Sequence, residues 1–196
     1  MESGPLLTNL TGSTAIVTFN RPESRNSLST PILIELDKLL AEIVNNPALK
    51  TVIFTGAGDA FLSGANISEL SSLDSGTARE FSLLGQQVVS RLTNTPQLTI
   101  AAINGYCMGG GLDFALACDI RLSSSSAIFA HPGARLGIIT GWGGTQRLPR
   151  LIGKARTIEF FATARRIQSA EALKIGLITS ICDPVIEGAL ALANKR

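Results

Sequence analysis

The chain has 196 residues, enough for one domain with a sizeable core. Apolar residues make up 45% and charged residues 16%, which excludes a disordered chain and suggests some surface buried against another chain. The 17 basic and 15 acidic residues leave a net charge of +2 with no basic run, so nucleic acid is not an expected partner.

Met1-Glu2-Ser3-Gly4-Pro5 lacks the charged start and apolar core of a signal peptide. No apolar run approaches the ~20 residues that span a membrane, so a soluble, cytoplasmic protein with no membrane partner is expected. Thr14 to Phe19 reads as a strand, ended by Asn20-Arg21-Pro22. Ser29-Thr30-Pro31 supplies a hydroxyl cap and a first-turn proline for a helix. Leu33, Leu36, Leu40 and Ile43 then recur at helical spacing until Asn45-Asn46-Pro47 stops them. Thr51 to Thr55 is a second strand feeding a Gly-rich loop, Gly56 to Asn66. The polar stretch Ser68 to Gly76 is expected to be mobile, and a helix is expected from Thr77 to Leu92. A third strand, Thr99 to Ile103, precedes Asn104-Gly105-Tyr106-Cys107-Met108-Gly109-Gly110-Gly111 and an apolar helix, Leu112 to Cys118. Strands follow at Asp119 to Ser123 and Ala127 to Ala130. A second glycine cluster, Gly141-Trp142-Gly143-Gly144, opens further helices. The alternation β-α-β-α-β-α-β predicts an α/β fold with crossover helices, and no linker or repeat splits residues 1–196.

The triple glycine at a strand-to-helix junction is the most informative feature. Residues without side chains let a ligand approach the backbone, and the helix start leaves N–H groups unpaired at its positive end. Such a place holds an anion, or a carbonyl oxygen becoming one. Asp113 falls in the first helical turn beside it. Taken alone, Asp113 is equally an acid that complements the helix dipole. Other glycine-based readings fail: Gly56-Ala57-Gly58-Asp59-Ala60-Phe61 lacks the third glycine of a dinucleotide fingerprint, and no GxxxxGK[ST] is present. Cys107, Cys118 and Cys182 form no CxxC and read as buried free thiols. His131 is the only histidine, so no metal site is expected.

Four motifs stand in order: Phe19-Asn20-Arg21-Pro22, then Phe61-Leu62-Ser63-Gly64-Ala65-Asn66-Ile67, then Asn104 to Gly111 continuing through Ala117-Cys118-Asp119-Ile120-Arg121, and Gly143-Gly144-Thr145-Gln146-Arg147-Leu148-Pro149. Together they resemble those of the enoyl-CoA hydratase/isomerase (crotonase) superfamily. The likeness covers about residues 10 to 185. It implies a crotonase (ClpP-like) spiral of ββα units and an acyl-CoA thioester as partner, with coenzyme A part of the substrate and no separate cofactor. It also implies an oxyanion hole built from the N–H groups of Ala65 and Gly110. Arg25 and the loop Ser63, Gly64, Asn66 and Ile67 would meet coenzyme A. Tyr106, Gly109, His131, Gly133 and Trp142 would complete the substrate site.

The family's hydratases use two glutamates. Asp113 stands at the first position and Gly133 at the second, and no Asp or Glu occurs between Asp119 and Glu159. Hydration needs one group to activate water and one to deliver a proton to carbon. Asp113 is also one methylene shorter than Glu, where a displacement of about 1 Å can cost a hundredfold. The leading expectation is a hydratase-like enzyme. The alternatives are an enoyl-CoA isomerase using Asp113 alone, or a catalytically weak acyl-CoA binder. Thioester hydrolysis with His131 as base has less support, because no nucleophile or acid partner stands beside it in sequence. His131 is nonetheless the one neutral-pH base, two residues before Gly133. Asp119 is expected to be structural, closing the helix against Arg121 or a backbone group. The resemblance further implies two or three more helices that cover the site and build a homotrimer or hexamer. The chain ends at Arg196, so these are expected to be missing.

Overall fold

A computed structural model describes residues 4–195. The leader reading rests partly on Met1-Glu2-Ser3, which lie outside the described residues. The chain opens with a hairpin, β1 (Leu6–Thr11) antiparallel to β2 (Thr14–Phe19), followed by α1 (Thr30–Val44). Next come β3 (Thr51–Gly56), β4 (Ala60–Leu62), α2 (Ile67–Leu70) and α3 (Ser75–Thr93). The third unit is β5 (Leu98–Ile103), β6 (Tyr106–Met108) and α4 (Gly110–Ala117). The fourth is β7 (Ile120–Ser123), β8 (Ile128–Ala130), α5 (Gly144–Ile152) and α6 (Lys154–Thr163). The described chain closes with β9 (Ile167–Gln168), α7 (Ser169–Lys174), β10 (Ser180–Ile181) and α8 (Val185–Ala193).

The first three units therefore hold two strands each, not the one that periodicity suggested, and the fourth holds the two expected at Asp119 to Ser123 and Ala127 to Ala130. Both hairpin strands and β3, β5, β7 and β10 form a six-stranded sheet, ordered β1-β2-β3-β5-β7-β10 and parallel from β2 onward. The second strands of the last three units join β9 in a smaller sheet, β4-β6-β8-β9, parallel except for β9. This is the spiral of ββα turns that the family resemblance implies. The missed second strands β4 and β6 are three residues long, too short for an alternating pattern to declare itself. β1 escaped notice for another reason: its second half is exposed, with no buried face to mark it. The stretch Ser68 to Gly76 is also more ordered than its polarity suggested. It contains most of α2, and Asp74 there caps α3 in a reciprocal box with Thr77.

The central strands β3 and β5 of the larger sheet are buried on both faces, which is why they read as continuous apolar runs. Val52, Phe54, Ala101 and Ile103 face the main core. Ile53, Ile100 and Ala102 face the other way, against Val185, Ala189 and Ala193 of α8. Helix α4 is apolar all round except for Asp113, because it runs through the main core. Its Phe114 ring meets Phe19 edge-on at 5.5 Å and Phe54 at 5.1 Å. Asp119 is structural, but not through Arg121. Its Oδ2 accepts from the backbone N and the hydroxyl of Thr99, each at 2.8 Å. Arg121 instead closes the end of α4, donating to the Cys118 carbonyl at 2.7 Å, and also reaches the Leu177 carbonyl at 2.9 Å.

Candidate active site

The site forms where the chain leaves β4, β6 and β8, three neighbouring strands of the smaller sheet. Just past β4, Gly64 adopts φ +102, a conformation that L side chains rarely take. A Cβ there would lie 2.9 Å from the Met108 carbonyl and 3.3 Å from the Gly110 nitrogen, so the two loops touch through their backbones. Leu28 bridges Ala65 in parallel fashion: Leu28 N donates to the Gly64 carbonyl, and Asn66 N donates to the Leu28 carbonyl. In such a ladder the intervening residue turns its own N–H to the opposite side. Gly110 is the first residue of α4, and its N–H has no intrahelical acceptor. Ala65 and Gly110 line one cleft of about 310 Å³, together with Ser63, Gly64, Gly109, His131, Gly133 and Trp142. The Trp142 ring lies flush against Gly110 and against Gly85 of α3, leaving no room for a Cβ at either.

Asp113 is not among the residues that line this cleft. Its side chain is buried inside α4's packing, and both oxygens are engaged. Oδ1 lies 3.0 Å from His131 Nε2, and Oδ2 accepts the Thr140 hydroxyl. The carboxylate also abuts Gly144 at the start of α5, where the helix's positive end favours an anion. Arg147 of α5 donates to the Trp142 carbonyl at 3.2 Å and the Thr93 hydroxyl at 3.1 Å. Burial lowers the pKa of its guanidinium, while the charge of Asp113 pulls it back up. The groups that do face the cleft are Asp113's two partners, His131 and Thr140.

His131 stands at the end of β8, with its ring edge-on to Phe161 of α6 at 4.9 Å. It also lines a second recess of about 360 Å³ against Ile158 and Phe161, so the segment from His131 to Thr140 separates two spaces. Gly133 lines both. A Cβ there would fall 2.6 Å from the Ile138 carbonyl, so a carboxylate at this position requires the following loop to move. No Asp or Glu lines either space.

An adjoining recess of about 160 Å³ shares Ser63 and Pro132 with the cleft and gathers Arg25, Tyr106, Arg135 and Arg166. The Arg25 guanidinium lies 4.9 Å from the Tyr106 ring centre and 3.4 Å from Asp59. Ile67 is exposed at the cleft rim. Asn66 is placed differently from the sequence expectation: its side chain accepts from Glu69 N at 3.0 Å and caps α2, and it lines none of these spaces. Thr140, Arg135 and Arg166 were missed by sequence reasoning. No spacing connects them to the glycine motif, and they join the site only through the β6–β8 pairing and the return of the chain at β9. Among the described residues, no three His, Cys, Asp or Glu side chains form a group able to hold a metal. No described helix is long and apolar enough to cross a membrane.

Comparison with known proteins agrees with this architecture. A family profile for enoyl-CoA hydratase/isomerase matches residues 10–195. The short-chain-enoyl-CoA hydratase of Clostridium acetobutylicum is 41% identical over 198 residues, covering 100% of this chain and 76% of that protein. The crotonyl-CoA hydratase of Syntrophomonas wolfei is 39% identical over 171 residues, covering 87% of this chain and 66% of that protein. The solved structure of an enoyl-CoA hydratase from Bacillus anthracis superposes with a TM-score of 0.95 at 36% identity, covering 98% of this chain and 76% of that one. With the fold, the glycine motif and nearly the whole described chain in agreement, the chain belongs to the enoyl-CoA hydratase/isomerase family.

Proposed function

We propose that the chain is an acyl-CoA-converting enzyme of hydratase-like type, holding the thioester oxygen between the N–H groups of Ala65 and Gly110. One observation carries this reading. Both groups border the same cleft, and neither has an acceptor among the described hydrogen bonds. Two preset donors aimed where charge develops stabilise an enolate-like intermediate, and losing one such donor typically costs about 3 kcal/mol. The recess with Arg25, Arg135 and Arg166 fits the phosphates of coenzyme A, and the Leu70, Phe81 and Trp142 side of the cleft fits an acyl chain. The names of the relatives point to short 2-enoyl thioesters.

A second reading is favoured by the lack of any carboxylate along the cleft. Moving a double bond needs a single group that takes a proton from one carbon and returns it to another, whereas hydration ordinarily draws on two. The exposed Leu136, Ile138, Ile139 and Ile158 support burial against another surface, as in a homotrimer or hexamer, and a cytoplasmic location fits the absence of a membrane-crossing helix among the described residues. The test is calorimetric titration with butyryl-CoA, followed by turnover of 2-enoyl-CoA and 3-enoyl-CoA. Loss of the conjugated double bond supports hydration, and conversion of the 3-enoyl to the 2-enoyl thioester supports isomerisation. Failure to bind butyryl-CoA would remove both.

A further inference from the structure

We propose that His131 is the group that meets the substrate, and that Asp113 and Thr140 position it, so that one imidazole moves the proton at C2 of a bound acyl-CoA. This rests on the acyl-CoA reading above and assigns its chemistry to a residue pair 18 positions apart in sequence.

The hydrogen-bond bookkeeping fixes the roles. The Thr140 hydroxyl donates its proton to Asp113 Oδ2, so Asp113 is held as an acceptor. Its other oxygen, Oδ1, faces His131 Nε2 at 3.0 Å, and the imidazole must be the donor there. In the neutral ring this places the proton on Nε2 and the lone pair on Nδ1. Nδ1 has no protein partner among the described residues, and it is not one of the sealed, unpaired buried atoms. Phe161 fixes the ring from the side. A carboxylate that is itself out of reach of the cleft thus orients a base that borders it. The same arrangement supplies the acid partner that His131 lacked in sequence.

The step balances without a second acid. Nδ1 takes the proton from C2 as the C2–H bond breaks. That electron pair forms the C1–C2 double bond, and the carbonyl π pair moves to the thioester oxygen beside Ala65 and Gly110. The imidazolium is neutralised by Asp113. Reversal returns a proton to C2, and in D2O the returned proton is a deuteron.

The experiment is incubation of the purified protein with butyryl-CoA in D2O, read as deuterium incorporation at C2 by mass spectrometry, alongside calorimetric binding of the same thioester. The wild type is expected to exchange C2 hydrogen. His131→Gln should slow exchange by about a hundredfold or more, and Asp113→Asn by about tenfold or more, with butyryl-CoA affinity retained in both. His131→Gly should recover part of the exchange when imidazole is added, an effect that a structural role for the ring does not give. Binding without exchange in the wild type, or undiminished exchange in His131→Gln, overturns the inference and leaves the acyl-CoA reading standing. Absence of butyryl-CoA binding overturns that reading itself, and this inference with it.

Discussion

A few backbone atoms carry the candidate site, and they are set by residues that have almost no side chain. Gly64 is the sharpest case, since its φ of +102 and the Met108 carbonyl 2.9 Å from its would-be Cβ leave alanine no relaxed solution. Gly64→Ala should displace the Ala65 N–H, and a shift near 1 Å is worth about a hundredfold. The expected outcome is a loss of that order in kcat/KM on an enoyl-CoA, together with a lowered melting temperature. The cysteines make a separate prediction. Burial pushes the thiols of Cys107 and Cys118 far above their ordinary pKa, and also raises that of half-buried Cys182. Thiolate is the reactive form, so at neutral pH iodoacetamide should label the folded protein only slowly and first at Cys182; all three should label once it is unfolded. At this scale the sequence made the residue types legible. Gly110, Asp113 and His131 could be named, but the pairing of Asp113 with His131 could not. That contact depends on Met108 pairing with Ala130, and no local pattern encodes a register between two three-residue strands.

Among the elements, α4 links the site to the core. Its N-terminus presents Gly110, while Phe114, one turn on, is locked against Phe19 and Phe54 of the larger sheet. Phe114→Ala should cost about 3–5 kcal/mol, measured by urea unfolding, because the surrounding strands cannot collapse into the void. Long elements were legible in advance. α1 declared itself through Leu33, Leu36 and Leu40, and β3 through its unbroken apolar run. The short ones were not, since β4 and β6 lie inside stretches whose glycines read as loop.

For the whole molecule, the cleft, the cationic recess and the second recess meet around one segment, Ser63 on one side and His131 to Thr140 on the other. A ligand that bridges them ties together segments from all four units, Arg25, Ser63, Gly109 and His131 among them. Binding only to the folded state should stabilise it by about 2.7 kcal/mol at a hundred times Kd. A melting series with butyryl-CoA should therefore rise with concentration, and the series should be flatter for free coenzyme A if the acyl end contributes.

Trp142 is the molecule's sole tryptophan, and it is buried where the cleft wall meets Gly110 and Phe81. One fluorophore thus stands against the proposed seat of the thioester. Its intrinsic emission should report occupancy of that seat with no background from any other indole, so that filling of the site could be followed in real time without label or modified substrate.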